Sequence, residues 1–209
     1  MMTLALEFSS DRRSVALARG GTVLSEAVEQ TAGRATNALG LIEKVLADGK
    51  VSREEIEVIA VGLGPGSYTG IRAAIAVAQG WQLARGVKLL GAASTEAIAA
   101  QAQAEKLFGH VNVLIDAQRG EFYLSEWEIS ADNRKETGAL RIVSSAEVEE
   151  QVAAGAVFAG PMAKNKMFPG AAMVARLAAG RQDFKVGEGL QPIYLRETAF
   201  VKVLAPRQL

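Results

Sequence analysis

One stretch of the chain collects residue types that can approach an anion: Gly64-Pro65-Gly66-Ser67-Tyr68-Thr69-Gly70, set between an apolar run and an alanine-rich one. Glycines there let backbone amides come close to a negative group, and a helix that follows turns its positive end toward it. Ser67 and Thr69 can add hydroxyl contacts or cap that helix. No Gly-Lys-Ser/Thr follows, so the pattern is not a Walker A loop. The other reading is a tight strand-to-helix turn that uses Gly and Pro for their backbone angles alone. Two acids, Glu7 and Asp116, each close a short apolar run. The segment after the first, Ser9-Ser10-Asp11-Arg12-Arg13, contains no glycine, which argues against a backbone cradle for a triphosphate.

Composition removes several chemistries. The chain has 209 residues and no cysteine, so disulfides, thiolate metal sites and cysteine nucleophiles are out. His110 is the single histidine, which excludes a two-histidine metal site, and no metal is expected. Lys and Arg number 23, as do Asp and Glu. A protein that held RNA alone would advertise a basic patch, because phosphate neutralisation drives that affinity; the balanced total argues against such a protein but leaves room for a local patch. The first residues lack the long uncharged stretch of a signal peptide, and no apolar run approaches the ~20 residues of a membrane span. The expectation is a cytoplasmic protein with no membrane partner.

The elements that must carry these residues follow from pattern. Residues 3–8 read as a buried strand. Residues 14–18 and 22–28 flank Arg19-Gly20-Gly21, a hairpin signal. Leu39, Ile42, Val45 and Leu46 recur at helical spacing, with Thr36 as cap and an end near Gly49. Ser52-Arg53-Glu54-Glu55 has capping-box spacing ahead of a strand at 56–63. A long helix to about Arg85, a strand at 87–92 and a helix capped by Ser94 complete the first half. The second half restarts in the same order: strands at 111–116, 121–128 and 139–143, with 132–138 as a polar loop. A helix capped near Ser144, a strand at 157–159 and a helix at 171–179 follow. The shared order points to an internal duplication, with one half at 1–105 and the other at 106–209.

Four segments then resemble one family. Residues 59–72, around Gly64-Pro65-Gly66-Ser67-Tyr68-Thr69-Gly70, Asp116-Ala117-Gln118-Arg119-Gly120-Glu121-Phe122-Tyr123, the opening strand Leu4 to Ser10, and Pro192-Ile193-Tyr194-Leu195-Arg196 are similar to the recurring segments of the TsaB/YeaZ family, in order and at fitting separations. The resemblance implies an α/β fold of the actin-like ATPase and sugar-kinase superfamily, built from two RNase-H-like halves. It also implies a non-catalytic subunit in tRNA threonylcarbamoyladenosine synthesis, acting on tRNA through a complex with a TsaD-type catalytic subunit and a TsaE-type ATPase. A homodimer is implied when the partner is missing. On this reading Glu7 and Asp116 are vestigial acids. The chain also departs from the family: Glu7-Phe8-Ser9-Ser10 stands for Asp-Thr-Ser, and Gly33-Arg34-Ala35-Thr36-Asn37-Ala38-Leu39 lacks the His and Glu of many members.

The resemblance further implies a helix bundle with the catalytic partner. Leu39, Ile42 and Leu46 on one helix, and Ile71, Ala74, Ala78 and Trp81 on the next, are the candidate contacts; each faces either that partner or this chain's own core. Arg119 and Arg196 brace the scaffold or touch the partner. No cofactor is expected, with a nucleotide at an interface shared with the partner left open. The rival is an ATP-dependent phosphotransferase of the sugar- or acetate-kinase type, which needs phosphate loops in both halves; only the Gly64 loop and the Gly160-Pro161 turn are candidates. A peptidase lacks a nucleophile–base pair.

Overall fold

A computed structural model describes residues 1–31 and 37–196. The first sheet begins with β1 (Met2–Glu7), β2 (Arg12–Arg19) and β3 (Thr22–Gln30), a meander whose second turn is made at Gly20 and Gly21, both with positive φ. Helix α1 (Ala38–Gly49), strand β4 (Val58–Gly62), helix α2 (Tyr68–Arg85) and strand β5 (Lys88–Ala92) follow, giving a sheet of order β3-β2-β1-β4-β5. β1 runs antiparallel to β2 and parallel to β4. Helix α3 (Ser94–Ala104) leads to β6 (Gly109–Gln118), β7 (Glu121–Ile129) and β8 (Arg134–Ser144), a second meander. Helix α4 (Ser145–Ala153), β9 (Val157–Gly160) and β10 (Asn165–Lys166) complete a sheet of order β8-β7-β6-β9-β10, the topology of the first repeated. Among the described residues no helix is long and apolar enough to cross a membrane.

β1 is buried along its whole length, because helices cover the first sheet on both faces. Its alternation sorts side chains by size. Leu4 and Leu6 join Ile42, Val45, Leu46, Ile71 and Ala78 in a cluster under α1 and α2. Ala5, Ala16, Ala18 and Ala60 face the other way, where a flat alanine surface admits Ala171, Val174, Ala175 and Ala178 of helix α5 (Ala171–Ala178). Helix α3 lies between the sheets: Ala97 packs with the first cluster of alanines, while Ile98, Ala99 and Ala102 pack with Val111, Val113 and Trp127 of the second sheet.

After α5 the chain returns as a strap. Lys185 N–H donates to Leu89 O at 2.8 Å, Gln79 Nε2 to Gly187 O at 2.8 Å, and Ile193 N–H to Leu63 O at 2.8 Å. Leu190 is buried in the α1–α2 cluster. The strap thereby covers the β5 edge, which would otherwise offer unpaired backbone groups.

Several local expectations are corrected. Thr36, read as the α1 cap, lies outside the described residues; Asn37 Oδ1 accepts from Gly40 N–H at 3.2 Å at the helix start. Ser94 opens α3 but caps nothing with its hydroxyl, which turns instead to Glu7. Residues 134–138 are strand, not loop: β8 is a mostly exposed edge strand, so no apolar alternation marks it. The capping box holds, with Ser52 N–H donating to Glu55 Oε1 at 2.9 Å.

Candidate functional site

The Gly64–Gly70 loop joins β4 to α2 and rests against the chain that leaves β1. Ser67 N–H donates to Ser9 O at 2.7 Å, and a Cβ at Gly66 would run into that carbonyl. Gly66 has φ 146°, so both its freedom and its lack of a side chain are used. Ser67 caps α2, its Oγ accepting from Gly70 N–H at 3.3 Å, and the buried Arg13 guanidinium reaches the same oxygen at 3.4 Å. Gly64 N–H donates to Ser94 Oγ at 3.2 Å. The loop amides of Gly64, Ser67 and Gly70 are thus engaged within the fold, as a structural turn requires. Thr69 is exposed at the start of α2.

The two strand-end acids differ. Glu7 is fully buried; it accepts from Ser9 N–H at 2.7 Å and from Ser94 Oγ at 2.9 Å. Burial pushes its carboxyl above the ordinary 4.5, against the pull of the Ser9 and Ser94 hydrogen bonds. It braces β1, the Gly64 turn and α3. Asp116 is exposed and accepts from Gln118 N–H at 2.7 Å and Gln118 Nε2 at 2.9 Å, in a turn where Gln118 and Arg119 have positive φ.

Asp116 opens onto a cleft of about 650 Å³ between the two sheets. Ser9, Ser10 and the Gly66–Tyr68 segment line it from the first sheet; Tyr123, Met162 and Lys166 line it from the second. The strap closes one end: Tyr194 stacks on Tyr68 with centroids 5.3 Å apart, and Arg196 pairs with Glu121 and donates to Gln118 O at 3.4 Å. Arg196 is therefore a brace between strap and second sheet, while Arg119 is exposed in its turn. His110 is half exposed near Glu128 at 3.9 Å, away from the cleft. Among the described residues, no three of His, Cys, Asp and Glu gather as metal ligands would.

Sequence leaves the α1–α2 residues open between core and partner, and burial divides them. Ile42, Leu46, Ile71, Ala74 and Ala78 lie in the chain's own core, each at most 6% exposed. The reason is that i, i+3, i+4 spacing marks the sheet-facing stripe first. Trp81 packs partly on the same core. Leu39, at 65%, points outward.

Comparison with known proteins agrees with this architecture. Residues 11–184 match the family described as TsaD: tRNA N6-adenosine threonylcarbamoyltransferase. The chain is 30% identical over 128 residues to the tRNA threonylcarbamoyladenosine biosynthesis protein TsaB of Escherichia coli, and 27% over 124 residues to TsaB of Bacillus subtilis. It shares its fold with a Pseudomonas aeruginosa protein described as similar to peptidase YEAZ, at TM-score 0.78 and 26% identity, covering 93% of this chain and 99% of that one. The chain belongs to the TsaB/YeaZ family. The matches span 61% and 59% of this chain but only 55% and 53% of the E. coli and B. subtilis proteins.

Within a TsaB/YeaZ chain, some surface residues escape a periodicity reading. Leu83 is 92% exposed on α2, and Ala76, Gly80 and Ala84 share exposed positions near it. The signal was present: α2 spans 18 residues without one acid, and Arg72 and Arg85 are its only charges. A solvent-facing helix side normally carries more. The cleft aromatics Tyr68, Tyr123 and Tyr194 were visible only as members of the family segments, since nothing in spacing says that residues so far apart converge.

Proposed function

We propose that this chain is a non-catalytic subunit of the machinery that makes threonylcarbamoyladenosine in tRNA. It pairs through the outward side of α1 and α2 with a TsaD-type catalytic chain and helps to form the surface where a TsaE-type ATPase docks. The carrying observation is the acid-free, small-residue outer side of α2, with Leu83 92% exposed, beside a helix that exposes Leu39 at 65%. Small side chains let a second helix pair approach closely, and burying the two leucines contributes roughly 1.5–3 kcal/mol each. The match to a TsaD family model supports a partner of related architecture, able to offer an equivalent helix pair. When that partner is missing, a second copy of this chain takes the same face.

The non-catalytic reading is supported by Glu7, which is consumed as an internal brace, and by the Gly64, Ser67 and Gly70 amides, which are engaged within the fold. A phosphotransferase would need both free. A cytoplasmic location and no bound cofactor go with this reading, a nucleotide at the shared interface being the one addition it accommodates.

The test is co-purification with the TsaD-type paralogue of the same organism, followed by the modification assay with and without this chain. The wild-type chain forms a stable heterodimer and the activity depends on it. Leu39→Glu with Leu83→Glu abolishes the complex while the isolated chain keeps its thermal midpoint. A double variant that assembles as well as wild type would remove the α1–α2 face from consideration.

A further inference from the structure

We propose that the cleft between the sheets seats an unpaired nucleotide of an RNA strand; this rests on the reading of the chain as part of a tRNA-modifying assembly. The cleft, at about 650 Å³, is of the size that holds a nucleotide-sized group. Its walls combine aromatic rings with the cations Lys166 and Arg196 and the acids Asp11 and Asp116, and Arg72 and Arg12 stand beside its rings outside the lining. Tyr68 and Tyr194 stack at an interplanar angle of 23° yet stay 54% and 37% exposed, so aromatic surface remains for a further ring. Arg72 lies 5.3 Å from the Tyr68 centroid. From the second half, Phe168 carries Lys166 at 5.6 Å and Arg12 at 5.8 Å, both exposed. Rings for bases beside cations for phosphates are what single-stranded nucleic acid requires.

Polar groups complete the seat. Ser9 and Ser10 line the cleft from the turn after β1. Asp116, exposed at the opposite wall, accepts from an exocyclic amine.

The same geometry disfavours a free nucleoside triphosphate. The turn after β1 has no glycine, and the amides of Gly64, Ser67 and Gly70 bond to Ser94, Ser9 and Ser67. Positive charge sits on exposed side chains instead, where the phosphates of a continuing strand run. A duplex keeps its base faces stacked inside and offers none to Tyr194.

The test uses the full isolated chain and a fluorescein-labelled eight-nucleotide single-stranded RNA, read by anisotropy, with a blunt RNA duplex and ATP as competitors. The single strand binds, ATP fails to displace it, and the duplex competes poorly. Tyr194→Ala with Lys166→Glu weakens binding by roughly tenfold or more, since one lost stacking contact is already of that order. Tyr194→Phe keeps the ring and binds like wild type, which separates lost stacking from misfolding. The proposal is overturned if the single strand is not retained, if ATP displaces it at equal concentration, or if the double variant binds as wild type does. Heterodimer formation is scored on the same preparations. Its loss counts against the subunit reading alone, whereas intact assembly with no oligonucleotide binding counts against the cleft alone.

Discussion

Glu7 and Asp116 close the first strand of two sheets that share one topology, yet their surroundings have diverged. Over Glu7 the Gly64 turn and the start of α3 have closed, so the carboxylate has become an internal acceptor for Ser9 N–H and Ser94 Oγ. No such cover lies over Asp116, which holds its neighbour Gln118 and lines the cleft. Each half also has a glycine pressed against the backbone, at different points: Gly66 lies beyond β4, whereas Gly160 ends β9. Gly66 at φ 146° and Gly160 at φ 149° each bring a turn onto a carbonyl, of Ser9 in one half and of Leu114 in the other. A repeated topology therefore carries strand ends put to different uses: one acid holds the fold, the other lines the cleft.

The severest way to break this parallel is to fill the two glycines. Gly66→Ala and Gly160→Ala each drive a Cβ into a backbone carbonyl at a positive φ. Each is expected to cost about 3 kcal/mol or more, read from the urea midpoint. A loss below about 1 kcal/mol at either site would show that its turn can move away. Next come the acids. Glu7→Ala opens a cavity and strands Ser9 N–H and the Ser94 hydroxyl, for about 2–4 kcal/mol. Asp116→Ala stays within about 0.5 kcal/mol, because water replaces what it loses. Equal effects at the two acids would mean that the halves have not diverged as described.

This division explains what was legible in sequence. Order and type of the elements followed from periodicity and turn residues, since Gly20-Gly21 and the Ala38–Gly49 stripe are local signals. β8 was half missed because an edge strand in water needs no apolar alternation. The loop could be weighed only as turn or cradle, because its hydrogen bonds reach residues as distant as Ser94. Ile42, Leu46, Ile71, Ala74 and Ala78 show the same limit: spacing finds the apolar stripe of a helix but not what covers it. Leu83, the single leucine of α2, falls off that stripe and carries no periodic signal.

The smallest effect is also the most specific to the buried acid. Glu7 is held above its ordinary 4.5 by burial, so the folded chain binds its proton more tightly than the unfolded chain does. Its contribution is therefore fully present below that ordinary value and declines as pH rises toward the folded value. Glu7→Gln keeps an acceptor for Ser9 N–H and removes the ionisation. It is expected to change stability by under about 1 kcal/mol at neutral pH and to flatten the decline above pH 4.5. Asp116→Asn serves as the exposed comparison and leaves the neutral-pH midpoint within about 0.5 kcal/mol. The measurement is the urea midpoint of the three chains across pH 4 to 9. If Glu7→Gln retains the full wild-type decline, the acid beneath the Gly64 turn is not its source, and the contrast between a sealed and an open strand end loses its electrostatic half.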